Sequence, residues 1–249
     1  MQGEDFLWLF IPLLFSVAFL YASVGHGGAS GYLALMAIFS FNPAFMKSSA
    51  LLLNLFVSFI AFYQYYRGGY FNTALVVPFI ITSIPASFIG AAIRVDPTIY
   101  NRVLGVLLFL PILRLAGVTG SEDRELKKAP WGASLVIGAA IGFLSGMIGI
   151  GGGILLSPVI LLLHWGNMKQ TAAASALFIF LNSAAGLAGL SWQGAAFDPS
   201  VFILLLFAIA GGALGAWYGR KQENSRVLKL VLAGVLLIAS VKLLTIERI

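Results

Sequence analysis

The chain has 249 residues, 60% of them hydrophobic and 10% charged, against roughly 25% charged in an ordinary soluble domain. With a mean hydropathy of +0.97, that much apolar surface exceeds what a core of this size can hide, so lipid is the solvent for most of it. The net charge of +6 comes from fifteen basic residues scattered over short connectors. No basic run is interleaved with exposed aromatics, which excludes nucleic acid as a partner, and the absence of cysteine excludes disulfides, thiolate metal sites and a Cys nucleophile.

In chain order, the acidic start from Met1 to Asp5 lacks the basic n-region of a cleaved signal peptide, so the first apolar segment is expected to stay. Five segments follow in residues 1–119, at about 6–24, 31–41, 44–66, 72–94 and 99–119. The one conspicuously polar connector, residues 120–130 (GSEDRELKKAP), is read as a linker. Five more segments occupy residues 131–249, at about 131–149, 154–165, 168–191, 200–219 and 226–246. Most reach the ~20 residues that cross ~30 Å of hydrocarbon. Segments 31–41 and 154–165 do not, and each follows directly on a run of glycines, so they are expected to be half-helices or re-entrant elements. The predicted fold is therefore an all-α polytopic membrane protein.

The two halves say nearly the same thing. Gly25 is matched by Gly149, Lys47 by Lys169, Phe71-Asn72 by Phe197-Asp198, Gly90 by Gly215 and Arg102 by Arg226, at offsets of 124, 122, 126, 125 and 124. A drift this small is what tandem duplication with minor loop insertions leaves. If all five segments per half change sides, the second repeat is inverted. With both termini outside, ten of the fifteen Lys and Arg then lie in the cytoplasm, whereas the parallel alternative splits them eight to seven. The positive-inside rule favours the inverted arrangement.

The glycine breaks, Gly25-His26-Gly27-Gly28 and Gly149-Ile150-Gly151-Gly152-Gly153, carry the chemistry. Successive N–H groups in left-handed turns form an anion-binding nest, and the helix that follows aims its positive end at the same point. Gly138, Gly142 and Gly146, and Gly215 with Gly219, read instead as small-residue packing ladders. Lys47 and Lys169 open the long helices that follow the short ones; they either snorkel to the interface or supply intramembrane charge to the anion. Ser49, Thr171 and Ser175 add hydroxyls on the first turns, and Asn54 and Asn182 lie deeper, as interhelical glue or as ligand contacts. His26, whose repeat partner is Ile150, either titrates with a coupled proton or hydrogen-bonds a freed carbonyl. The expected substrate-binding set is thus Gly25, His26, Gly27, Gly28, Lys47, Ser49, Asn54, Gly149, Gly151, Gly152, Gly153, Lys169, Thr171 and Ser175. No catalytic residue, metal site or cofactor is expected.

The stretch GMIGIGGGILLSPVILLL, followed by MKQTAAASAL, resembles the signature of the TauE/SafE sulfite exporter family. The first half repeats it more loosely as SVGHGGASGYLALM and NPAFMKSSALLLNL. Ala29 stands opposite Gly153, and Ala174 replaces a common Thr. The resemblance implies outward transport of sulfur-containing oxyanions, sulfite or small organosulfonates, across a bacterial cytoplasmic membrane; spacing alone implies an anion carrier. Two rivals remain at this point. Gly28-Ala29-Ser30-Gly31 matches the G-x-S-G nucleophile motif of rhomboid proteases, with His26 or His164 as a base, and an anion channel could use the same breaks. The reading adopted is a carrier of two inverted repeats that rock about one site at their interface. Its expected partners are a small anion, the lipid bilayer, a coupling proton or ion, and a second copy of the chain in a homo-oligomer.

Overall fold

The computed structural model describes residues 4–23, 27–115, 126–195, 198–221, 237–238 and 240–245. Nine helices are described among them: α1 (Glu4–Ser23), α2 (Ala29–Ile38), α3 (Pro43–Arg67), α4 (Thr73–Ala91), α5 (Pro97–Leu115), α6 (Trp131–Ile148), α7 (Gly153–Leu162), α8 (Met168–Trp192) and α9 (Val201–Lys221). Residues 240–245 belong to a further helical stretch near the C-terminus. No strand occurs among the described residues. Five of the helices, α3, α4, α6, α8 and α9, are long and apolar enough to cross a membrane. With bilayer as solvent, a helix is the only element that satisfies its own backbone, which is why the long apolar runs take this form.

Helix starts are set by short polar caps. Asn42 accepts from Ala44 N–H at 2.8 Å ahead of Pro43, and Asn167 with Gln170 forms a capping box on α8. Asn72 accepts from Leu75 N–H at 3.3 Å, and Asp198 Oδ1 accepts from Ser200 N–H at 2.9 Å ahead of α9. The FN and FD pairs therefore contain helix-entry residues, since a side-chain acceptor there satisfies N–H groups that the first turn leaves orphaned.

Directions follow from which residues meet. Gly138, Gly142 and Gly146 of α6 lie against Phe79, Ser83 and Ser87 of α4, so those two helices run parallel. Gly211, Gly215 and Gly219 of α9 lie in the same manner on Phe15, Phe19 and Ser23 of α1. On α8, Asn182 bonds Ser83 at 3.0 Å while Gly189 meets Phe88 and Ala91, which sets α8 parallel to α4. By contrast, α3 and α8 run antiparallel: Leu51 faces Gly186, while the Phe59 ring lies 5.3 Å from Phe180. Pro43 and Met168 open these two 25-residue helices 125 positions apart (168 − 43).

The short helices cross rather than re-enter. Ser30 bonds Tyr21 at 2.9 Å while Phe39 packs on Phe10 at 5.5 Å, so α2 is antiparallel to α1. Gly27 abuts Asn54 and Ser58 while Phe41 stacks on Phe45 at 5.2 Å, so α2 is antiparallel to α3 as well. Helices α1 and α3 therefore run the same way, and Tyr65 reaches the Ser23 carbonyl at 3.4 Å where both end. Helix α2 begins level with the middle of α3 and runs back toward its start. Helix α7 repeats this against α8, with Gly153 beside Ile179, Ser157 bonded to Ser175 at 2.6 Å, and Gly166 beside Thr171. The re-entrant alternative for the short segments is thereby replaced by broken crossings.

Close approach in the glycine ladders is backbone against backbone. An added β-carbon at Gly146, Gly215 or Gly219 would collide with the carbonyls of Ser87, Phe19 and Ser23, none of which can swing away as a side chain can. Gly132, at the start of α6, faces open space. Gly146→Val should therefore lower the thermal midpoint and folded yield in detergent, by overpacking worth roughly 1–3 kcal/mol or more. Gly132→Val should leave both near the parent; equal losses in the two variants would remove the ladder from its packing role.

Candidate functional site

Both glycine breaks arrive at one residue. Asn54, midway along α3 and fully buried, lies between them: a β-carbon at Gly27 would stand 2.8 Å from its Oδ1, and one at Gly151 would stand 2.5 Å from its Nδ2. The amide also donates a long bond of 3.5 Å to the Ile150 carbonyl. From the opposite side Ile179 of α8 closes on the same two glycines, at 3.0 Å from the Gly27 position and 2.9 Å from the Gly151 position. Asn54 and Ile179 are themselves 125 residues apart (179 − 54), the spacing of the two helix starts. Thus one polar and one apolar side chain clamp the two breaks at mid-depth.

The backbone at these breaks is left-handed. Gly28 has φ 95° and caps α2; Gly149, Gly151 and Gly152 have φ 88°, 75° and 76°. Gly149 ends α6, its N–H bonding Ser145 O at 2.7 Å, and the Gly152 carbonyl takes the N–H groups of Leu155 and Leu156 at 3.0 Å to start α7. An L side chain is strained at such angles. The first-turn N–H groups of α2 and α7 have no intrahelical acceptor, so two positive helix ends point into the space around Asn54.

Several polar atoms there lack partners among the described residues. Asn54 Oδ1, Ser183 Oγ, Ser145 Oγ and Tyr32 Oη are all buried and unbonded. Ser183 Oγ lies 3.4 Å from the Gly151 β-position, Ser145 Cβ lies 3.3 Å from that of Gly152, and Tyr32 Oη lies 2.6 Å from that of Gly28. A buried polar group left unpaired costs about 1–3 kcal/mol. Three of these atoms, the hydroxyls of Ser183, Ser145 and Tyr32, are donors beside two open helix N-termini, a set that suits a small anion, whereas Asn54 Oδ1 is an acceptor and only the Asn54 Nδ2 group can donate.

The remaining expected residues separate into those the fold gathers and those it disperses. Gly27, Gly28, Gly149, Gly151, Gly152, Gly153 and Asn54 come together. Ser175 lies just below the second break, its hydroxyl shared with Ser157, which also donates to Gly153 O at 2.8 Å. Ser49 is buried on α3, and its hydroxyl has no partner among the described residues. Thr171 is buried at the start of α8, 3.5 Å from the Gly166 β-position. Gly25 and His26 lie outside the described residues.

The two lysines do not flank one central anion, because they open antiparallel helices and so stand at opposite ends of the α3/α8 pair. Lys47 is buried and donates to Ala91 O at 3.1 Å. Lys169 is half-buried, 3.3 Å from Tyr70 Oη and 4.9 Å from that ring's centroid. Asn182 is interhelical glue, donating to Ser83 Oγ and to Phe178 O. The Ser30 hydroxyl of the G-x-S-G stretch donates to Tyr21 Oη at 2.9 Å.

Residues that the sequence did not single out are Tyr32, Ser58, Ser145, Ile179 and Ser183. Ser58 and Ser183 were within reach, being 125 apart and each one turn beyond the clamp residue of its helix. Gly151→Ala tests the cradle against a matched control. Gly194 has nearly the same φ of 74° with nothing within 4 Å, so Gly194→Ala carries only the conformational cost of roughly 1–2 kcal/mol. Gly151→Ala should destabilise further by displacing Asn54, a difference read as thermal midpoints in detergent. Equal losses would mean that Asn54 does not press on the break.

Comparison with known proteins bears on the whole chain. Residues 10–243 match the family model described as sulfite exporter TauE/SafE. The chain is 38% identical over 237 residues to the probable membrane transporter protein y4hK of Sinorhizobium fredii, covering 92% of this chain and 95% of that one. It is 25% identical over 248 residues to the probable membrane transporter protein YjnA of Bacillus subtilis, with 92% and 96% covered. It is also 27% identical over 195 residues to the probable membrane transporter protein MJ0441 of Methanocaldococcus jannaschii, with 72% of each covered. No solved structure matches it.

Proposed function

The chain belongs to the sulfite exporter TauE/SafE family of membrane transporters, and from that premise we propose that it is a secondary carrier of small sulfur-containing oxyanions, sulfite or short organosulfonates, moved outward across the cytoplasmic membrane. The observation that carries this reading is the meeting of both glycine breaks at Asn54, with two helix N-termini and three hydroxyl donors, of Ser183, Ser145 and Tyr32, unpartnered among the described residues around them. A tetrahedral or pyramidal oxyanion presents several acceptor oxygens, which is what such a donor cradle pairs.

Alternating access follows from the helix directions. Helices α1 and α3 run opposite to α6 and α8, consistent with two inverted repeats meeting at the clamp, an arrangement in which rocking one repeat against the other exposes the site to either side. The basic connectors favour termini outside and residues 120–130 inside. Asn54, Tyr32 and Phe178 are fully buried around the breaks. Buried side chains at the centre support a carrier, which occludes its substrate, over an open channel.

Reconstituted protein should take up labelled sulfite or taurine saturably and show counterflow, with sulfate and thiosulfate as competitors to rank. Asn54→Leu keeps the volume and removes the amide. Loss of one hydrogen bond to a charged ligand costs roughly 1.5–3 kcal/mol, so half-saturation should rise about ten- to a hundred-fold. Transport that rises linearly with sulfite concentration would replace the carrier with a channel, and unaltered half-saturation in Asn54→Leu would move the site elsewhere.

A further inference from the structure

Lys47 is a buried cation that the central cradle does not use. It is 8% exposed, and its one hydrogen bond among the described residues, to the Ala91 carbonyl at 3.1 Å, leaves two of three donors unspent. No carboxylate among the described residues pairs with it. An intramembrane charge held this way is costly and needs a reason.

Its position supplies one. Lys47 and Asn54 are seven residues apart on α3, which is two turns, so they share one face about 10.5 Å apart along the axis. The second glycine break runs along that same face. A β-carbon at Gly149 would stand 3.0 Å from Lys47 O and 3.1 Å from its Cα, while Gly151 abuts Asn54. Backbone that is left-handed at Gly149 and Gly151 thus runs between the two residues, with Ile150 between those glycines. Lys169 has no such relation to the centre. It precedes Ile179 by ten residues, which turns it about 80° off that residue's face at 100° per residue, and it rests on Tyr70.

We propose that Lys47 forms a second anion station between the central cradle and the outer mouth, where an outgoing oxyanion or sulfonate is held by the lysine beside the second glycine break before release. The station rests on the transport reading above for its direction. The helix dipole of α4, whose last turn contains Ala91, holds the ammonium in place between passages.

The absence of cysteine from the chain makes a sided chemical test direct. Ala92, half-buried beside the carbonyl that Lys47 binds, is changed to Cys, and right-side-out and inverted vesicles are treated with two membrane-impermeant methanethiosulfonates of similar size. One carries a sulfonate and the other a quaternary ammonium. A one-sign cleft concentrates counter-ions by 10–10³, so Lys47→Met should lower the sulfonate-to-ammonium rate ratio about tenfold or more in right-side-out vesicles. Methanesulfonate should slow the anionic reagent when Lys47 is present and not in Lys47→Met, while Lys47→Arg should retain the ratio. A ratio indifferent to Lys47→Met would make the lysine a helix cap only, and labelling confined to inverted vesicles would overturn its outer placement. Should Lys47→Met fail to insert, Lys47→Gln reads the same ratio. Parent protein that shows the ratio but moves neither sulfite nor taurine would retain the station and dismiss the proposed function; transport with an unaltered ratio would do the reverse.

Discussion

In a bilayer there is no water to pair with a freed peptide group, so irregular backbone survives at mid-depth only when protein encloses it. The two glycine breaks impose that constraint twice, and the rest of the molecule is arranged around enclosing them. The longest helices, α3 and α8, cross antiparallel at the centre and present Asn54 and Ile179 to the same two glycines. Helices α2 and α7 then carry the chain out to either face from the breaks. A space that must be walled by protein, and whose walls offer N–H and hydroxyl groups, is where the proposed anion site lies.

Around this pair the scaffold is drawn tight by small residues. Glycines of α6 press on α4, and those of α9 press on α1, at backbone distance. Lipid gives no hydrophobic reason for helices to associate, so close packing of this kind supplies the cohesion. The arrangement is regular without being equal in its two halves. Asn182 fastens α8 to Ser83 of α4, whereas Val57, which stands 125 positions earlier, meets Gly212 of α9 through methyl groups. Asn54 likewise faces Ile179. Polarity is therefore concentrated on one side of each matched pair, and a rocking motion would break polar contacts at one interface and slide apolar surface at the other.

Much of this was legible in the sequence because it rests on local rules. Segment lengths gave the crossings, and the glycine spacing at 138, 142 and 146 gave a packing face. The breaks before two helices too short to span gave the candidate site. What failed was register. The connector between α7 and α8, residues 163–167, is one residue longer than the 39–42 connector between α2 and α3, so the helices correspond at 125 rather than at the 122 that aligns the lysines. Pairing Lys47 with Lys169 put both at one anion, and antiparallel packing of α3 on α8 puts them at opposite ends instead. Helix direction is a tertiary property that no window of sequence carries. For the same reason Tyr32 and Ser145 went unnoticed, since their significance lies in what the break brings beside them.

The central claim is that one anion sits where the two breaks meet, held by Asn54 and by the N-termini of α2 and α7. Crystals grown with selenite, the heavier congener of sulfite, would locate it by anomalous scattering. The account predicts one dominant peak within hydrogen-bonding distance of Asn54 and the Gly151–Gly153 backbone, lost in Asn54→Leu. A peak confined to Lys169 and the surface connectors, with the space between the breaks empty in protein that transports, would contradict it.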